Sequence, residues 1–199
     1  MGDLALRIIR SGGYPGLAGL ILVENVFPPI PSEVILPLAG FYVSRGEFVF
    51  GLAVLAATIG SLLGALLLYA GARHGGRPLL LRHGRLLRMR ETDLDRADAW
   101  FDRYGAWLVF GGRFVPGARS VVSVPAGLSE MPLGRFVALT TLGSAGWNVA
   151  LIGAGWALGS NYERVADAVG PASTAVTVAL ALGLLAAVVW WYRRRRAGG

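Results

Sequence analysis

Residues 104–127 read YGAWLVFGGRFVPGARSVVSVPAG: a short apolar arm, a break holding Arg113, Pro116, Gly117 and Arg119, a second short apolar arm, and a Pro-Ala-Gly close. Residues 14–40 follow the same plan, YPGLAGLILVENVFPPIPSEVILPLAG, with Glu24, Pro28, Pro29, Pro31 and Glu33 at the break. Each arm has about 8 to 12 residues, which at about 1.5 Å per residue reaches only part-way through a roughly 30 Å hydrocarbon layer. Helical hairpins that enter a membrane and turn back fit that length.

Around these hairpins lie full-length spans. Stretches 50–71, 136–159 and 171–192 carry no charge, and each has the roughly 20 residues that a crossing helix needs. The chain of 199 residues is 54% hydrophobic and 16% charged, more apolar than a soluble domain of this size. Asp3, Arg7 and Arg10 leave no apolar core near the start, so no signal peptide is expected. The absence of Cys excludes disulfides, thiolate metal sites and Cys nucleophiles.

The net charge of +7 comes entirely from Arg over acid. Arg73, Arg77, Arg82, Arg85, Arg88, Arg90, Arg96 and Arg103 fill one hydrophilic loop, and Arg193, Arg194, Arg195 and Arg196 follow the last span. Two spans separate the clusters, so both fall on one side, the cytoplasm, with the C-terminus cytoplasmic. Orientation and contact with anionic lipid account for this charge, and nucleic acid is not expected as a partner. Trp190, Trp191 and Tyr192 form an interfacial aromatic belt before the basic tail. His74 and His83 lie in the loop as solvated residues; no metal site and no cofactor is expected.

The halves superpose at an offset near 88, with Gly46 on Gly134, Phe48 on Phe136, Pro28 on Pro116 and Gly40 near Gly127. A unit that crosses once is followed by its copy upside down, so the hairpins would dip in from opposite faces, a common transporter plan. The expected fold is therefore an all-α polytopic membrane protein: an inverted repeat of re-entrant helical hairpin plus transmembrane helix, with an additional C-terminal transmembrane helix. As one membrane domain over 1–199 it divides into repeat 1 (14–72), a cytoplasmic connector (73–103), repeat 2 (104–159), the last span (171–192) and the tail (193–199). The start of the chain either lies outside or forms an interfacial helix. Gly60 with Gly64 and Gly155 with Gly159 are small-residue pairs suited to close helix packing.

Charge inside such segments is expensive, about 2.5 to 3.5 kcal/mol for each group at a helix centre. Glu24, Glu33, Arg113 and Arg119 would together cost on the order of 10 kcal/mol if they faced lipid. They must face one another, water or a ligand. An internal salt-bridge network is one outcome. The Pro breaks favour another, because freed backbone groups at membrane depth are tolerated only within protein or beside a wet cavity. Arg presents a planar donor fork for phosphate or carboxylate, so Arg113 and Arg119 are the candidate anion clamp. Desolvated carboxylates can exchange protons near neutrality, so Glu24 and Glu33 are the candidate proton-coupling groups. Pro28, Pro31, Pro116 and Gly117 form the breaks. Asn148, in the middle of a span, either packs or lines the cavity. No nucleophile with a His base is visible, so no catalytic residue is assigned and a transporter is expected rather than an enzyme.

The runs GGRFVPGARS and ENVFPPIPSE resemble the two signature segments of the DedA family, whose members share the VTT (SNARE-associated) domain, and the similarity covers nearly the whole chain. The resemblance implies hairpins that face each other, a bacterial inner-membrane location, and lipid translocation driven by the proton motive force. Its implied cargo is undecaprenyl phosphate, with phospholipids as another possibility within the family. By position, Arg113 and Arg119 match the essential arginines and Glu24 the first essential acid. Glu33 stands for the second, in a Ser-Glu where the family pattern has Gly-Asp after a longer spacer. Membrane lipids, polyprenyl phosphate above all, and protons are the expected partners. A proton-coupled exchanger of small ions or drugs, a phospholipid scramblase, and a phosphatase acting on the same lipid are the competing readings. A site open sideways to the bilayer would favour the lipid carrier, and a site closed to it the small-ion exchanger.

Overall fold

The computed structural model describes residues 2–27, 32–76, 91–116 and 118–159. The last span, the basic tail, Pro28, Pro31, Gly117 and much of the Arg-rich loop, including His83, lie outside the described residues. Within them the chain is helical: α1 (Gly2–Val26), α2 (Ser32–Ser44), α3 (Phe50–Gly71), α4 (Glu91–Gly112), α5 (Ala118–Val121), α6 (Ser123–Leu128) and α7 (Leu133–Leu158). A π-helical turn, Ala72–Gly76, extends α3.

α1 is two rods joined at Gly13, whose φ of 56° and ψ of −137° suit a residue without a side chain. Pro15 stands two residues on, where its fixed φ starts the second rod without losing a needed donor. That rod, the break after Val26, and α2 form the first hairpin. The second hairpin runs from α4 through the Arg113 break to α5 and α6. α4 begins at Glu91, so one continuous helix carries both the end of the connector and the first arm of the hairpin.

The packing repeats when the halves are exchanged. The first arm of each hairpin lies on the long helix of its own half, α1 on α3 and α4 on α7, and the second arm crosses to the long helix of the other, α2 on α7 and α6 on α3. The two long helices meet between them. Glycines on the long helices and on the second arms permit these approaches. A Cβ on Gly64 would meet the Asn25 Cβ at 2.6 Å and the Leu22 carbonyl oxygen at 2.9 Å; one on Gly143 would meet the Arg113 Cβ at 2.9 Å and the Phe110 oxygen at 3.1 Å. Leu22 and Asn25 correspond to Phe110 and Arg113 at the offset read from the sequence. Gly40 likewise abuts the Ile152 carbonyl and the Trp156 amide, while Gly127 abuts the Tyr69 carbonyl and the Arg73 amide.

The long helices are built inside out relative to a soluble core. α3 turns Leu52, Leu55, Ile59, Leu63 and Leu67 outward, each about half exposed, and buries Ala53, Ala57, Thr58, Gly60, Ser61, Gly64 and Ala65. An apolar exterior around a small and polar interior is the arrangement hydrocarbon selects, since close backbone approach rather than apolar burial holds helices together there. By length and composition, Phe50–Gly75, with mean hydropathy 2.2, and Leu133–Leu158, with 1.4, can each cross a membrane. Gly60 of the first small-residue pair faces the Ala18 carbonyl, and Gly155 of the second faces the Pro37 carbonyl.

Candidate functional site

The charged side chains stand beside the two breaks in the chain. Glu24 closes the last turn of α1, and Arg119 sits on the short α5. Their side chains meet at 2.5 Å, Arg119 Nη2 donating to Glu24 Oε2, and both residues are 4% exposed. The pair joins the first arm of one hairpin to the second arm of the other. Such a contact offsets the desolvation of both ions only while it is intact, so removing either partner strands a buried charge.

Arg113 follows α4 directly and is 1% exposed, but among the described residues no carboxylate holds it. Its Nη2 donates to Ser123 Oγ at 2.9 Å and to Thr140 Oγ1 at 3.3 Å. Nε and Nη1 have no partner among the described residues. Leaving a buried donor unsatisfied costs about 1 to 3 kcal/mol, and more for a charged group, so these N–H groups would be satisfied by an entering oxyanion. Glu33, half-buried in the first turn of α2, lies within electrostatic reach of Glu24, and Arg113 within reach of both Glu24 and Arg119. All four intramembrane charges seen in the sequence therefore share one neighbourhood, with formal charges that sum to zero.

Pro116 is half-buried in the Arg113 break. Asn148 lies fully buried in α7 and donates from Nδ2 to Thr58 Oγ1 of α3 at 3.1 Å, while its Oδ1 has no partner among the described residues. It is one rung of a polar ladder that the sequence reading missed. Thr140, Ser144 and Asn148 lie a helical turn apart on the buried face of α7, and Thr58 meets Asn148 from α3. Their spacing in an otherwise apolar helix was the available signal. Asn25, fully buried beside Glu24, donates to the Ile21 carbonyl at 3.4 Å and leaves its Oδ1 without a partner among the described residues. His74 is exposed on the π-helical turn, its Nδ1 against the Ala70 carbonyl. In chemical terms these residues are a buried polar cluster with one guanidinium that keeps N–H groups without a partner among the described residues and a second in contact with an acid.

The VTT domain model matches residues 30–157, a range that encloses Glu33, Arg113, Arg119 and Asn148. An "Alkaline phosphatase-like protein" of Lactococcus lactis subsp. cremoris (strain MG1363) is 42% identical over 195 residues, covering 93% of this chain and 91% of its own length. "Undecaprenyl phosphate transporter A" of Bacillus subtilis (strain 168) is 35% identical over 181 residues, 89% of each chain. The protein of that name in Staphylococcus aureus (strain NCTC 8325 / PS 47) is 35% identical over 166 residues, 81% of this chain and 82% of its own. No solved structure matches the chain.

Proposed function

Because this chain belongs to the VTT-domain (DedA) family of membrane proteins, we propose that it carries a polyprenyl phosphate of the undecaprenyl phosphate type across a bacterial inner membrane, coupled to protons. The observation that carries this reading is Arg113: a buried cation whose Nε and Nη1 have no partner among the described residues, beside a second arginine paired with Glu24. The phosphate is held first by Arg113. Glu24 and the phosphate then compete for Arg119, because the Glu24 carboxylate offsets the positive charge that would draw a second anion. Proton uptake by Glu24 removes its charge, weakens its hold, and passes Arg119 to the phosphate; release of the phosphate restores the ion pair. Anion entry and proton uptake are thereby linked at one side chain. Glu33, close enough to feel Glu24, is the second group of the proton path.

Movement follows from the exchange symmetry. Each hairpin has one arm on its own long helix and one on the other's, so the halves can rock against each other and open the site to alternate faces. The polyprenyl tail stays in the bilayer, and the C-terminus lies in the cytoplasm with the Arg-rich loop.

The test is reconstitution in liposomes with labelled undecaprenyl phosphate, followed by its loss from one leaflet. Transport that disappears in Arg113→Ala with Arg119→Ala supports the clamp, and unchanged transport overturns it. The name of the Lactococcus relative favours a second reading, an enzyme that removes the phosphate. Release of inorganic phosphate from the same liposomes would establish that activity, and intact lipid recovered from the opposite leaflet would establish carriage.

A further inference from the structure

The two arginines are held differently, and the difference assigns roles to residues that carry no charge. We infer that Thr140 and Ser123 are positioning residues that fix Arg113 as the permanent half of the anion site, leaving Arg119 as the half that is engaged and released. The inference rests on the proposed function and goes beyond it by naming what builds the receptor.

An arginine side chain carries about 2 kcal/mol of rotamer entropy, so a cation that is to receive an anion without delay must have that freedom removed beforehand. At Arg113 this is done at both ends. The stem lies against Gly143, where any side chain would press on Cβ and Cγ. The head is tied through Nη2 to Ser123 on α6 and Thr140 on α7. Thr140 and Gly143 are three residues apart on one face of α7, so a single helix supplies both the socket for the stem and one tether for the head. Ser123 and Thr140 are 0% exposed, as closed to solvent as Arg113 itself.

The chemistry of the tethers decides what they do. A hydroxyl accepts a hydrogen bond from Nη2 without bringing a negative charge. Arg113 is therefore oriented and still fully cationic, with Nε and Nη1 left for a ligand. A carboxylate at either position would orient it equally well and cancel its attraction for phosphate, which is the condition of Arg119 beside Glu24. Two neutral acceptors drawn from two other segments are what a fixed anion receptor requires.

The experiment uses proteoliposomes of the full chain with undecaprenyl phosphate, measuring the half-saturating lipid concentration and the maximal rate across a range of pH. Thr140→Val combined with Ser123→Ala should raise the half-saturating concentration about tenfold, with the pH profile in its wild-type position because the Glu24–Arg119 exchange is untouched. Thr140→Ser, which keeps the acceptor, should bring the concentration back to within about twofold of wild type. If the double variant does not assemble, the single variants carry the test, each with a rise of about threefold. Wild-type half-saturation in the double variant or in both single variants, alongside lost transport in Arg113→Ala, would overturn the positioning role and leave the proposed function standing. Normal transport in Arg113→Ala would instead overturn the proposed function and this inference with it. A shifted pH profile in the tether variants would place Thr140 and Ser123 in the proton step and contradict the assignment.

Discussion

The two hairpins share a plan and differ at one socket. In the first, the residue whose stem lies against a glycine of its own long helix is Asn25, on Gly64; in the second it is Arg113, on Gly143. The same backbone carbonyls flank both, from Leu22 and from Phe110. Both side chains are fully buried, and both leave a polar atom without a partner among the described residues, an amide oxygen in one half and two guanidinium nitrogens in the other. The repeat therefore supplies a pair of equivalent polar positions, and the sequence makes only one of them cationic. On the proposed function, the repeated fold rocks between two faces and the unequal charge gives it one place to hold an anion.

The largest expected effect separates the sockets directly. Arg113→Ala should lower lipid-phosphate transport on the order of a hundredfold or more, since a buried charge contact is worth about 2 to 5 kcal/mol. Asn25→Ala should cost only a few-fold, within about 1 kcal/mol. Equal losses in the two variants, measured in the same liposomes, would break the comparison. Next comes the acid. Under the proposed coupling, proton uptake by Glu24 frees Arg119, so wild-type transport should rise as the loading side is acidified. Glu24→Gln is neutral at every pH, and its transport should lose most of that dependence, an effect of about tenfold across the profile. A profile identical to wild type would remove Glu24 from the coupling.

Packing provides a smaller effect that sharpens the comparison. Gly64→Ala and Gly143→Ala each place a methyl group against a neighbouring stem and should destabilise by about 1 to 3 kcal/mol, read as thermal unfolding in detergent. Gly143→Ala should additionally weaken lipid-phosphate transport, because the stem it displaces belongs to Arg113. The smallest expected change is Asn148→Leu, which removes the hydrogen bond to Thr58 between the long helices and should cost about 1 kcal/mol. Its half-saturating lipid concentration would test whether the ladder beyond Thr140 touches the cargo.

Much of this was legible in the sequence because charge in an apolar segment has few explanations. Glu24, Glu33, Arg113 and Arg119 stood out on cost alone, and the structure gathers them into one neighbourhood. The repeat was visible from the Gly, Pro and Phe positions, and Leu22 and Asn25 on one hairpin arm keep the same offset to Phe110 and Arg113 on the other. Ser123 and Thr140 were not singled out, since a hydroxyl in a membrane helix can satisfy itself on the preceding turn, as Thr58 does on the Val54 carbonyl. Which hydroxyls turn to a guanidinium depends on where the Arg113 side chain lies between Ser123 on α6 and Thr140 on α7, and that is a tertiary fact. The continuity of α4 across the boundary at 103/104 was hidden for a related reason. Composition changes there from charged to apolar, and helical propensity does not.

The account stands on Arg113 being available to an anion while Arg119 is held by Glu24. The direct measurement is equilibrium binding of undecaprenyl phosphate to the purified chain at several pH values, in wild type, Arg113→Ala and Glu24→Gln. Binding that tightens at low pH in wild type, is strong at every pH in Glu24→Gln, and is lost in Arg113→Ala is the expected result. Binding retained in Arg113→Ala with an unchanged dependence on pH would contradict it.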